Sequence, residues 1–128
     1  KKPLKEVFWL IVINKRGKIL LQKRKESGIW GGLWTFIELE NKQKMNRFCF
    51  EQFNQNINKL KAYEKINHKF SHYNLRARPF FLKLSSDIEY NAKELGEAWL
   101  GVNDLDSIGT PAPVKELFKK IYSYDKNS

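Results

Sequence analysis

Leu20-Leu21-Gln22-Lys23-Arg24, Gly28-Ile29-Trp30-Gly31-Gly32 and Leu33-Trp34-Thr35-Phe36-Ile37-Glu38-Leu39 follow one another closely, and their order decides the fold. Lys18–Arg24 and Leu33–Leu39 have the apolar content and partial alternation of strands. Lys25–Gly32 between them is a loop that closes on a glycine pair. Gln43–Leu60 then follows a helical period, with Phe50, Phe53, Ile57 and Leu60 placed to share one face. Strand, loop, glycine pair, strand and helix is therefore the central unit.

Strands lie on either side of it. Glu6–Asn14 is an apolar, β-branched run of the kind buried on both faces of a sheet. It turns at Asn14-Lys15-Arg16-Gly17, where glycine tolerates positive φ, and forms a hairpin with Lys18–Arg24. Glu64–His72, Tyr73–Leu84 and Glu97–Val102 read as further strands. Asn103-Asp104-Leu105-Asp106 caps a short turn. Pro111 and Pro113 open a last helix, Val114–Tyr122, with Val114, Leu117, Phe118 and Ile121 as its apolar stripe. The expected class is α+β: a mixed β-sheet packed with helices in a single domain over residues 6–124, after the end of a linker (1–5) and before a short tail (125–128).

The chain has 128 residues, 41% of them hydrophobic and 14% aromatic, enough to bury a proper core. Its single cysteine, Cys49, rules out an internal disulfide or a cysteine-held iron–sulfur or zinc site, and points to a reducing, intracellular (cytoplasmic) setting. The longest apolar run, Val7–Ile13, is too short to span a bilayer, so no membrane partner is expected. Lys1 stands where a Met would begin a chain, which suggests a piece of something longer. The net charge is +10, spread along the sequence, and favours polyanions through a folded basic face, with a merely solubilising surface as the alternative.

The central unit resembles the Nudix fold, whose hydrolases carry Gly-x5-Glu-x7-Arg-Glu-x2-Glu-Glu. Gly32 and Glu38 match. The count then places Asn46 and Arg47 at the Arg-Glu pair, and Phe50 and Glu51 at the Glu-Glu pair. Magnesium-assisted pyrophosphate cleavage needs several carboxylates on one helical face. Arg47 and Phe50 remove two of them, and Phe50 falls on the apolar stripe, so no metal site and no hydrolysis are expected.

A second stretch, His68-Lys69-Phe70-Ser71-His72, sets a ring, a hydroxyl and two imidazoles side by side. Its plain alternative is a strand with Phe70 buried. His68 and His72 lack further ligands for a metal. Ser71 and His72, adjacent on a strand, would point to opposite faces and so make a poor nucleophile–base pair.

With the blocks at Leu20–Arg24 and Gly28–Phe36, and with Trp99 and Ile108-Gly109-Thr110-Pro111-Ala112-Pro113-Val114-Lys115-Glu116-Leu117, this stretch completes an ordered set. The set is similar to the C-terminal domain of A/G-specific adenine DNA glycosylases, the MutY family. The family's Gly-Leu-Trp-x-Phe-Pro string, its His-x-Phe-Ser/Thr-His loop and its closing Pro-x-Pro-Val-x-x-Leu helix all find counterparts. Ile37 stands where the family usually has Pro.

The resemblance implies a base-excision-repair protein that removes adenine mispaired with 8-oxoguanine. Its catalytic residues and [4Fe-4S] cluster would lie in an N-terminal domain outside these residues. This chain would be a non-catalytic, monomeric, cofactor-free lesion reader whose partners are damaged double-stranded DNA and that N-terminal domain. Ser71 would meet the oxidised base's N7–H and C8 oxygen, Phe70 would wedge into the stack, and His72 would hold backbone. His68 belongs to the same loop. Lys69, Arg76 and Arg78 are candidates for phosphate contact, with a merely solvated face as their alternative. Trp30, Trp34, Phe36 and Trp99 read as core or interdomain packing residues, with base stacking as their alternative. A free-standing Nudix-type nucleotide hydrolase and a non-catalytic interaction module are the competing expectations.

Overall fold

The apolar run Val7–Ile13 forms the interior of β1 (Leu4–Ile13), the middle of a mixed sheet in the computed structural model, which describes residues 2–126. The first linker residue, Lys1, and the last tail residues, Asn127 and Ser128, lie outside the described residues. So do the side chains of Ile57 and of residues 124–126.

β1 pairs in parallel with β6 (Asn74–Lys83) over ten residues, from Leu4 opposite Asn74 to Ile13 opposite Lys83. On its other side it runs antiparallel to β3 (Trp34–Leu39). β2 (Ile19–Lys23) and β7 (Glu97–Leu100) continue that side. β4 (Lys61–Ala62) and β5 (Ile66–Lys69) share the outer edge of β6. Seven strands are thus joined among the described residues, in the order β4-β6-β1-β3-β2-β7 with β5 beside β6.

A parallel pair at the middle of a sheet must be covered on both faces. Val7, Trp9, Ile11, Ile13, Phe36, Leu75 and Ala77 are buried against Val114, Leu117, Phe118 and Ile121 of α2 (Ala112–Lys126). Leu10, Val12, Leu20, Ile37 and Leu82 are buried on the other face against Met45, Cys49 and Phe53 of α1 (Lys42–Phe53). Alternation along β1 sends its side chains to the two cores in turn. The expected α+β class with a mixed sheet between helices is what forms.

Several boundaries differ from expectation. β1 starts at Leu4, so Leu4 and Lys5 belong to the sheet. α2 extends through Lys126, into the expected tail. α1 stops at Phe53 because Asn54 takes a left-handed conformation (φ 52°, ψ 40°). There the Asn54 N–H donates to the Phe50 carbonyl at 3.0 Å and the Gln55 N–H to that of Cys49 at 3.1 Å. This closing pattern is typical of helix C-termini.

The buried stripe of α1 is Met45, Cys49 and Phe53, at i, i+4 and i+8. Phe50, expected on the core stripe, is 65% exposed. The segment read as one strand over Glu64–His72 is a strand only to Lys69, and then turns.

Candidate nucleic-acid interface

Phe70-Ser71-His72-Tyr73 is the tip of the β5–β6 hairpin, closed by a hydrogen bond from the Phe70 N–H to the Tyr73 carbonyl at 2.9 Å. Ser71 and His72, the two residues within that closure, are exposed. They sit on a turn and not on a strand, so their side chains are not forced to opposite faces. The Ser71 hydroxyl has solvent access and can donate to or accept from a partner brought to the tip.

Phe70 is half-buried. Its ring stacks on Tyr73 (centroids 4.8 Å apart, 24° between planes) and meets His68 edge-on at 4.7 Å. Trp30, from the β2–β3 loop, lies 5.5 Å from Phe70, 5.7 Å from His68 and 6.4 Å from the fully buried Trp9. An aromatic column therefore runs from the core to the tip. Each such ring pair contributes roughly 0.5–1.5 kcal/mol beyond the area it buries. Lys2 Nζ donates to the Phe70 carbonyl at 2.8 Å, and the Asn74 N–H donates to the Pro3 carbonyl at 2.9 Å, so the N-terminal segment braces the hairpin as well.

The β2–β3 loop owes its path to its glycines. Gly32 has φ +76°, and its N–H donates to the carbonyls of Arg24 and Lys25 at 3.2 and 3.1 Å. At Gly31 a Cβ would sit 2.0 Å from the Glu26 carbonyl oxygen, so only glycine allows the chain to cross there. The glycine pair serves this crossing, as the sequence suggests. Trp30, just before it, adopts φ 53°. A bulky residue rarely takes that conformation unless its surroundings impose it.

Arg24 ties this loop to the sheet. Its Nη1 bonds Glu38 Oε2 at 2.5 Å and its Nε donates to the Ile29 carbonyl at 2.9 Å. Burial pushes the Tyr73 phenol above its ordinary value, with Arg24 pulling down and Glu38 pushing up, so this pair acts on the Tyr73 side of the tip.

Glu38 is the sheet's contribution to the hydrolase motif, and here its carboxylate is engaged by a guanidinium. Phe50 and Arg47 replace helix carboxylates, and among the described residues no cluster of three or more His, Cys, Asp or Glu is arranged to hold a metal ion. The residues present do not fit the magnesium that the hydrolase motif serves.

Of the other expected site residues, Lys69 is exposed at the end of β5, next to the tip. Arg76 and Arg78 converge on one carboxylate: Arg78 Nε donates to Glu6 Oε2 at 2.9 Å, and Arg76 Nη1 lies 3.9 Å from the same oxygen. Arg76 also donates to Asn67 Oδ1 at 3.3 Å. By alternation these two share the α1 side of β6, so they form a group separate from the aromatic column. The structure thus joins Phe70, Ser71, His72 and His68 in one tip, with Lys69 beside it. It also adds Trp30, Tyr73 and Lys2, which sequence reasoning left out of the site. A tryptophan set between Gly28 and Gly31-Gly32 was the available signal for the first.

Fold and site together define the class. The family profile described as a NUDIX domain matches residues 8–120, and the chain belongs to that family. Adenine DNA glycosylases are among its curated relatives. That of Buchnera aphidicola subsp. Acyrthosiphon pisum (strain APS) is 30% identical over 124 residues, covering 94% of this chain and 35% of its own length. The chain thus spans about a third of the length of the curated relatives it matches. Among solved structures, the C-terminal domain of mouse MUTYH, in a complex with human PCNA, superposes with a TM-score of 0.72 at 17% identity. The match covers 96% of this chain and 90% of that one. MutT from Methanosarcina mazei Go1 superposes with a TM-score of 0.64 at 16% identity, covering 100% and 99%. The resemblance to the C-terminal domain of adenine DNA glycosylases is borne out. Among the described residues, no helix is long and apolar enough to cross a membrane.

Proposed function

We propose that this chain is the lesion-recognition domain of an A/G-specific adenine DNA glycosylase, reading 8-oxoguanine opposite adenine in double-stranded DNA during base excision repair. The observation that carries the proposal is the exposed Ser71 hydroxyl at the tip of a hairpin braced from the core. Guanine offers an acceptor at N7, whereas the oxidised base offers an N7–H donor and a C8 oxygen. A hydroxyl able to accept and donate suits that exchange. The exposed part of the Phe70 ring enters the stack beside the lesion, and His72, with Lys69, meets backbone. Arg76 and Arg78, sharing Glu6, add a weaker and more distant attraction to phosphate.

The relatives' names support the parent activity, adenine excision. In this proposal that chemistry, and a [4Fe-4S] cluster, belong to an N-terminal domain of the same intracellular, monomeric protein. The present domain is non-catalytic, a role supported by the Arg24–Glu38 pair and the residues at 47 and 50.

The test is binding of the full-length protein to duplexes bearing 8-oxoguanine or guanine opposite a non-cleavable adenine analogue. Ser71→Ala combined with Phe70→Ala is expected to reduce the preference for the oxidised base by about 1–3 kcal/mol. An unchanged preference overturns the assignment. Magnesium-dependent pyrophosphate release from dNTPs by this domain would favour the hydrolase reading instead.

A further inference from the structure

We propose that Trp30 is a positioning residue for the Ser71 tip, so that the β2–β3 loop sets how sharply the tip separates oxidised from ordinary guanine. This deepens the lesion-reading function above and rests on it.

Three features converge on Trp30. Its backbone lies at φ 53°, a conformation that a bulky residue holds only when its surroundings fix it. The loop that carries it is locked on both sides. The Arg24 N–H donates to the Leu33 carbonyl at 2.9 Å, the Leu33 N–H to the Trp30 carbonyl at 3.0 Å, and Gly31 crosses against the Glu26 carbonyl. Its ring then fills the space between Trp9 in the core and the His68 and Phe70 rings of the hairpin.

Phe70 is hemmed in by Trp30, His68 and Tyr73, and its N–H closes the turn that presents Ser71. Telling a donor from an acceptor at a base edge requires the hydroxyl to keep its place within hydrogen-bond tolerance. Removing the Trp30 ring frees Phe70 on its inner side and lets the turn move. General attraction to DNA depends on the basic surface and does not use this contact.

The experiment uses the full-length protein with Trp30→Leu, Trp30→Phe and Ser71→Ala. The readout is the ratio of dissociation constants for guanine and 8-oxoguanine duplexes, each opposite a non-cleavable adenine analogue at fixed salt. Trp30→Leu is expected to lower this ratio by about tenfold, the scale of one base-edge contact, through weaker binding of the oxidised duplex. Binding of the guanine duplex should stay within about twofold, because phosphate attraction is intact. Trp30→Phe, which keeps a ring, should recover most of the ratio.

If Trp30→Leu keeps the parental ratio while Ser71→Ala loses it, the inference fails and the lesion reader stands. Equal weakening toward both duplexes marks Trp30 as general support and also overturns it. A parental protein without preference removes the functional reading itself. Should Trp30→Leu not fold, Trp30→His takes its place, since histidine tolerates left-handed backbone. An intermediate ratio is then expected, and an unchanged one refutes the proposal.

Discussion

Replacing Gly31 by alanine tests whether the β2–β3 loop is held by contact or by conformational preference. Gly31 is not among the residues with positive φ, so alanine meets no backbone penalty there. The added Cβ, however, would lie 2.0 Å from the Glu26 carbonyl oxygen, 2.7 Å from its carbon and 3.1 Å from the Lys25 carbonyl oxygen. All three are backbone atoms, so no side chain can swing aside. Real Cβ contacts essentially never fall under 3.0 Å, so the two strands of the loop must part by at least the 1.0 Å between 3.0 and 2.0 Å.

Forcing the strands apart while keeping the loop docked costs about 1–3 kcal/mol by analogy with overpacked cores, toward the upper end for so short a contact. Undocking instead gives up the hydrogen bonds at Gly32 and Leu33, about 1 kcal/mol each, together with the partial burial of Trp30. Either route comes to about 2–3 kcal/mol. Urea unfolding of the domain should show it as a lowered midpoint with little change in slope. Gly28→Ala is the matched control. A Cβ there meets nothing within 4 Å but must adopt φ +103°, so about 1–2 kcal/mol of backbone strain is the whole expected effect. A Gly31→Ala protein within about 0.5 kcal/mol of the parent would refute the steric account of the loop.

Three further outcomes follow from other parts of the molecule. Burial pushes the Glu97 carboxyl above its ordinary value, against the downward pull of the Tyr90 hydroxyl that donates to it. The folded chain therefore binds this proton more tightly than the unfolded chain. The contribution is fully present below the unfolded pKa of about 4.3 and is lost as pH rises through the raised folded value. Glu97→Gln should gain on the parent as pH rises from about 4 to 7, and a pH-independent difference in urea midpoints would refute this.

Burial likewise pushes the Cys49 thiol up to about 11. With on the order of one thiolate per thousand at pH 8 and no exposed surface, Cys49 should resist a thiol reagent in the folded state and react promptly in denaturant. Equal rates would contradict the burial. At the end of α1, Asn54→Ala should cost about 1 kcal/mol while Asn54→Gly costs nothing or stabilises slightly, measured by urea unfolding, because the left-handed cap suits glycine best.

Much of this architecture is legible in residue order. Val7–Ile13 is apolar at every position, which marks a strand covered on both faces, and Asn14–Gly17 marks the turn after it. The end of α1 is not written in the periodicity. Phe50, Phe53, Ile57 and Leu60 keep a helical period straight through Asn54, and periodicity says nothing of a residue turning left-handed. The same pattern drew Phe50 inward, although Met45, Cys49 and Phe53 make the seam that meets the sheet.

In the hairpin, the residue types at 68–72 mark a candidate site. They do not indicate that the strand ends at Lys69 and leaves Ser71 and His72 on a turn. Trp30 beneath the tip and Lys2 bound to the Phe70 carbonyl are contacts between residues 40 and 68 positions apart, beyond the reach of local patterns. The Arg24–Glu38 pair is also tertiary. The hydrolase motif shows Glu38 present, and only the folded chain shows its carboxylate already taken.

The ladder between β1 and β6 joins positions 70 apart along its whole length. Contacts so distant form late, because the intervening chain must be gathered first, and they slow folding. A synthetic peptide copied from the β5–β6 hairpin alone should thus be a floppy ribbon, since its stiffness is borrowed from β1 and from Trp30. An emerging chain likewise gains this ordered tip only after β6 has been made and has found β1.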